Sequence, residues 1–117
     1  MLCDSCRERD AVVHRCDRDD RGIGARVVDL RWLAPLPADD LLREARLTGR
    51  VLVADETRRT GGVSEGVVTA LTDAGYPGRI ARVTSDDSFV PLGPAANAVL
   101  LDEATIEKAA IGLLQAS

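Results

Sequence analysis

Aromatic residues are scarce: Trp32, Tyr76 and Phe89 are the only three in 117 residues. Basic residues do not outnumber acidic ones, and the formal net charge is −4. Such a chain has neither the stacking platform nor the cationic face that nucleic acid binding uses. No apolar run approaches the ~20 residues of a membrane-spanning helix. The opening Met1-Leu-Cys-Asp-Ser-Cys6 is no signal peptide. The expectation is a cytoplasmic chain with no nucleic acid or membrane partner. Lysine occurs once, as Lys108, among fifteen basic residues; this looks like coding bias and carries no functional reading. Histidine also occurs once, so any histidine-dependent acid–base or nucleophilic mechanism would rest on His14. The three cysteines all fall within the first 16 residues. They are too few and too clustered for a secreted disulfide framework, which leaves reduced thiols or a metal site.

What is present suits one globular domain, with 45% apolar residues. Two segments differ in character. Residues 1–21 alternate acids and arginines around Ala11-Val-Val13, and read as a charged, flexible leader. From Gly22 the pattern becomes regular, so residues 22–117 are expected to form the folded unit.

Ala25 to Leu30 is a mostly apolar strand ending in Asp29 and Arg31, which are expected to form a local salt bridge. Trp32-Leu-Ala-Pro-Leu-Pro37 follows, its prolines breaking any ladder. A helix is expected from about Pro37, with Asp39 and Asp40 at its positive end, Leu41, Leu42 and Ala45 on its apolar stripe, and Gly49 as its stop. Val51 to Ala54 is a second strand, expected near the sheet centre, and Val63 to about Ala74 a second helix closed by Gly75-Tyr-Pro-Gly78. Arg79 to Thr84 is a third strand. A long loop, Ser85 to Pro94, is expected to be held by Phe89 and its two prolines. Pro94 to Leu100 can form a short helix, and Asp102 caps a last helix with Ile106, Ala109, Ala110 and Leu113 on one face.

Alternation of this kind implies an α/β domain: a three-layer α/β/α arrangement with a mostly parallel sheet and right-handed crossovers. Three strands make a small sheet with unpaired edges. A doubly wound domain would open with a strand and helix ahead of Gly22, and the expectation is that both are lacking here.

Three stretches carry a resemblance when read together: Val27-Val-Asp-Leu-Arg-Trp-Leu-Ala-Pro-Leu-Pro37, Leu52-Val-Ala-Asp-Glu-Thr-Arg-Arg-Thr-Gly-Gly62 and Val83-Thr-Ser-Asp-Asp-Ser-Phe-Val-Pro-Leu-Gly93. In order and spacing they resemble the transketolase C-terminal domain family. They are most like the end of the beta subunit of pyruvate and branched-chain 2-oxoacid dehydrogenases, the thiamine-diphosphate-dependent component of those complexes. The resemblance covers about Gly22 to Leu114. It implies a non-catalytic domain serving subunit association and docking to the acyltransferase core. Its partners would be further copies of itself or other subunits of a 2-oxoacid dehydrogenase complex. Thiamine diphosphate and magnesium belong to preceding domains of the full-length family, and no G-D-G motif occurs here, so no cofactor is expected in this chain. A truncated or frame-shifted enzyme fragment without an independent role is an alternative.

The candidate site is the loop Glu56, Arg58, Arg59, Thr60, Gly61 and Gly62 at the end of a strand. Glu56 and the arginines are read as ion-pairing across a subunit interface, as the resemblance implies; otherwise this is a solvated loop whose glycines permit positive φ. An anion at the following helix terminus is a lesser reading, since neither a glycine fingerprint nor a lysine accompanies it. Cys3 and Cys6 have zinc-knuckle spacing, and with His14 and Cys16 they would make a small zinc-binding or adaptor module. His14 and Cys16 lack that spacing, and free thiols in an unstructured leader are the plainer reading. The acid pairs Asp39-Asp40 and Asp86-Asp87 suit helix and loop termini better than acid–base chemistry.

Overall fold

A computed structural model describes residues 11–16 and 21–116. Along the chain lie β1 (Ala11–Cys16), β2 (Ala25–Leu30), α1 (Ala38–Thr48), β3 (Arg50–Arg58), α2 (Val63–Asp73), β4 (Arg79–Ser85), a 3-10 turn (Gly93–Ala98) and α3 (Glu103–Gln115).

Each expected element from Ala25 onward is present. Helix α1 begins one residue past Pro37, with Asp39 and Asp40 in its first turn. It ends at Gly49, whose φ of 72° lets its N–H reach the Ala45 carbonyl at 2.9 Å. Helix α3 is capped as expected, Asp102 Oδ1 accepting from the Thr105 amide at 2.7 Å.

The sheet departs from expectation in two ways. Ala11–Cys16, inside the expected leader, forms β1 and pairs antiparallel with β2, from Ala11 opposite Leu30 to Cys16 opposite Ala25. The β-branched Val12 and Val13 suit an extended backbone, and a neighbouring strand with no other partner supplies the ladder. Strands β3 and β4 form a separate parallel pair, Arg50 opposite Arg79 through Asp55 opposite Thr84. Among the described residues β3 is therefore hydrogen-bonded on one side alone, with β2 tied to it through α1 and not by a ladder.

Strand parity assigns the layers. Val51 and Val53 on β3 and Ile80 on β4 pack against the buried cluster Leu41, Ala45, Val67, Leu71 and Tyr76, so α1 and α2 cover one face. On the other face, Ser85 Oγ accepts from the Leu101 amide at 2.9 Å as the chain approaches α3, and α3 packs on both strands. Leu71 is 1% exposed and Val67 2%. Val28, Leu30 and Leu36 join the same cluster, so α1 bridges the β1–β2 pair to the β3–β4 pair.

A salt bridge reinforces that bridge: Arg26 Nε and Nη2 of β2 reach Glu44 Oε2 of α1 at 2.8 and 2.5 Å, with Glu44 only 5% exposed. Arg26 opens β2 and Glu44 lies late in α1, while Leu36, past the end of β2, meets Gly66 in the first turns of α2. Strand β2 therefore runs the same way as β3 and β4. The segments that follow these three strands all emerge at one edge of the domain.

Candidate functional site

The carboxyl edge is organised by two carboxylates. Asp55, near the end of β3, accepts from the Thr57 amide at 2.9 Å and the Thr57 hydroxyl at 2.7 Å through Oδ1. Its Oδ2 accepts from the Ser64 amide at 2.7 Å. Gly62, the residue before α2, brings no capping side chain, so Asp55 reaches across from the strand and caps the helix instead. Burial alone would raise its pKa, but the bonds from Thr57 and Ser64 outweigh that and hold it below the ordinary value.

Asp87, in the loop after β4, grips the same segment from the other side. It accepts from the Thr60 amide at 2.8 Å and the Thr60 hydroxyl at 2.6 Å. Those bonds, with smaller help from Arg59 and Arg58, lower its pKa. Arg58 Nε donates to the Thr60 carbonyl at 3.0 Å, and the Gly61 amide donates to Glu65 at 3.1 Å. Arg82 of β4 donates to the Arg59 carbonyl at 3.1 Å and to Ser64 Oγ at 3.2 Å, and Ser64 is fully buried.

Gly62 is required by space: a Cβ there would stand 2.5 Å from the Arg58 carbonyl and 2.5 Å from Thr57 Oγ1. The loop from Thr57 to Gly62 is thus a tight, carboxylate-held turn. Beside it lies an open cleft of about 260 Å³ whose lining includes Arg59, Arg82, Asp86 and Asp87. Of the amides around the start of α2, that of Ser64 is engaged by Asp55 and that of Gly61 by Glu65.

The candidate residues are brought together and mostly exposed: Glu56, Arg58, Arg59, Thr60 and Gly61 face solvent, and Gly62 is half-buried. Among the described residues Glu56, Arg58 and Arg59 enter no ion pair. Asp29 and Arg31 likewise form none with each other; both are exposed at the end of β2, where nothing desolvates them.

The long loop after β4 is not held by Phe89, which is 96% exposed. It is held at its ends, where the Asp86 amide donates to the Val99 carbonyl at 2.9 Å, and by Asp87 on Thr60. The same edge carries Leu92 at 96%, Trp32 at 60%, Val90 at 55% and Leu33 at 53% exposed.

Of the zinc candidates, Cys3 and Cys6 lie outside the described residues, while His14 and Cys16 lie on β1 opposite Val27 and Ala25. Among the described residues no three His, Cys, Asp or Glu side chains are grouped to hold a metal ion. Sequence reasoning passed over Asp55, Ser64 and Arg82. An acid at a strand end nine residues before an uncapped helix start was the available signal for Asp55.

Fold and edge define a class: a three-layer α/β/α domain whose strand ends carry structured loops in place of a glycine-rich phosphate fingerprint. The model of the transketolase C-terminal domain matches residues 12–111, and the chain belongs to that family. Among its relatives is 1-deoxy-D-xylulose-5-phosphate synthase 1 of Geobacter sulfurreducens, 37% identical over 76 residues, covering 64% of this chain and 12% of the relative. Another is the pyruvate dehydrogenase E1 component subunit beta of Staphylococcus epidermidis, 31% identical over 97 residues, covering 80% of this chain and 30% of the relative. A solved split-gene transketolase, described as an inactive β4 tetramer, superposes with a TM-score of 0.70 at 32% identity, over 80% of this chain and 31% of that one. The likeness thus extends to synthases as well as to dehydrogenase beta subunits. This chain spans from 12% to 30% of the two curated relatives described.

Proposed function

We propose that this chain is a non-catalytic assembly domain of a thiamine-dependent enzyme of the 2-oxoacid dehydrogenase beta-subunit type, acting in subunit association and in docking to a larger complex. The observation that carries the reading is the carboxyl edge. A family match over residues 12–111 ends in loops that hold their backbone with their own carboxylates and turn Trp32, Leu33, Phe89, Val90 and Leu92 outward. Exposed apolar groups concentrated at one edge are what partner surfaces are made of. The tetrameric description of the split-gene neighbour supports association of the same kind.

The chemistry at this edge argues against a catalytic role. Asp55 and Asp87 are both committed as acceptors to backbone and hydroxyl donors of the loop itself. With pKa values below the ordinary carboxylate range they are poor proton carriers at neutral pH. Among the described residues no three His, Cys, Asp or Glu side chains are grouped to hold a metal ion, and in this reading magnesium and thiamine diphosphate are held by other domains of the parent enzyme.

Two measurements test the proposal. Sedimentation velocity of the purified chain is expected to give an oligomer that dissociates on dilution. Calorimetry with thiamine diphosphate and magnesium is expected to give no heat of binding. A strict monomer at high concentration would refute association, and micromolar cofactor binding would refute the non-catalytic assignment.

A further inference from the structure

Independently of the association reading, we infer that the crevice between the loops after β3 and β4 is a binding site for a small α-amino acid, its carboxylate on Arg82 and Arg59 and its ammonium group on Asp86.

The crevice follows from the connections. The loop after β3 leads to α2 on one face of the sheet, and the chain leaving β4 leads to α3 on the opposite face. Connections that diverge from neighbouring strand ends leave an opening at the carboxyl edge, which is where open α/β sheets hold their ligands. In this domain the opening is the cleft of about 260 Å³, walled by Arg59 from the first loop and by Arg82 to Asp87 of β4 and the loop that follows it.

Arg82 is a cation that the described chain does not neutralise. It is half-buried, and among the described residues no carboxylate pairs with it. Its Nη1 is anchored, donating to the Arg59 carbonyl and to Ser64 Oγ. Nε and Nη2 meet no acceptor among the described residues. Those two nitrogens form the side-on fork that takes both oxygens of a carboxylate, and the anchor on Nη1 fixes its plane in advance. A partly desolvated charge is stabilised by gaining a counter-ion. Arg59 brings a second guanidinium, exposed and likewise outside any ion pair among the described residues, on a backbone that Arg82 holds.

The acids of the same cleft select the ligand. Asp87 has both oxygens on Thr60. Asp86 is exposed, its amide is tied to the Val99 carbonyl at 2.9 Å, and its carboxylate has no partner among the described residues. A phosphate or sulfate would set a double negative charge against two carboxylates in this small space. An α-amino acid carries both signs in one small molecule, a carboxylate for the arginines and an ammonium group for Asp86. The open side of the cleft leaves room for a short uncharged side chain.

The test uses the full chain, isotope-labelled and followed by nuclear magnetic resonance, titrated with L-alanine and L-serine and separately with acetate, methylammonium and inorganic phosphate. The amino acids are expected to give saturable shifts of the Arg82 Nε–H and of the Asp86 and Asp87 amides, with the three comparison ions about tenfold weaker or more. Arg59→Ala and Asp86→Asn leave the hydrogen bonds of the turn in place, and each is expected to weaken amino-acid binding about fivefold or more. Arg82→Lys keeps the charge without the fork and is expected to abolish the saturable shifts, with circular dichroism melts to verify folding of every variant. Acetate or phosphate binding as tightly as the amino acids would overturn the ligand class. Amino-acid shifts indifferent to Arg59→Ala and Asp86→Asn, or the lack of any saturable shift, would overturn the site.

Discussion

Replacing Asp55 by alanine removes three hydrogen bonds at once: those from the Thr57 amide, the Thr57 hydroxyl and the Ser64 amide. The Ser64 bond acts as the cap of α2, and losing a capping side chain costs about 1 kcal/mol. The Thr57 bonds hold an exposed turn whose donors water can satisfy after the change, so they add at most about 1 kcal/mol more. A total near 2 kcal/mol corresponds to a fall in melting temperature of roughly 8 °C for a domain of this size. Thermal denaturation followed by circular dichroism measures it, and hydrogen exchange at the Ser64 amide locates it. Asp55→Asn should lie between parent and alanine, since its amide can accept from Thr57 but presents at most one oxygen to both sides of the turn.

The same residue carries a pH signature. Its folded pKa lies below the ordinary value, so the unfolded chain binds the proton more readily. The stabilisation is complete above the unfolded value of about 3.9 and is lost as pH falls through the lower folded value. Parent and Asp55→Ala melting temperatures should therefore begin to converge below about pH 5 and keep converging as pH falls through the lowered folded value. An Asp55→Ala protein that melts within a degree of the parent at neutral pH would refute the claim that this carboxylate caps α2.

Arg26→Ala strands Glu44, 5% exposed, without its main partner; a loss of roughly 3 kcal/mol is expected in urea denaturation, and Arg26→Met with Glu44→Leu should recover most of it. Leu71→Ala opens a cavity at a side chain only 1% exposed, with an expected cost of about 3 kcal/mol by the same measurement. Gly62→Ala forces a Cβ to within 2.5 Å of the Arg58 carbonyl. It should displace the Thr57 to Gly62 turn, seen as faster proteolysis there with the core melt less affected.

The regular elements were legible because periodicity and punctuation agreed: Leu41, Leu42 and Ala45 at helical spacing ahead of Gly49, and Val63, Val67 and Leu71 after Gly61-Gly62. What was not legible was partnership. Nothing in Ala11-Val-Val13 says that β2 will accept it as an antiparallel neighbour, because that choice depends on which edges are left open elsewhere. Phe89 was read as an anchor because large apolar residues are usually buried, yet the loop is tied at its ends by Asp86 and Asp87 and leaves the ring outside. At the candidate site the loop was visible through its glycines, whereas the Asp55 cap was hidden, since nine residues separate it from the amide it satisfies. Asp29 and Arg31 were expected to pair at the strand end; both are exposed to solvent, where an ion pair gains little.

The near-absence of aromatic residues leaves this domain with two optical probes in opposite surroundings. Tyr76 is 9% exposed, its hydroxyl donating to the Ala45 carbonyl at 3.3 Å between the ends of α1 and α2. Trp32, the single tryptophan, is 60% exposed at the carboxyl edge. Near-ultraviolet tyrosine dichroism thus reports on helix packing, while tryptophan emission reports on whatever covers the edge. A blue shift on concentrating the protein, with the tyrosine signal unchanged, would mark an event at the loops.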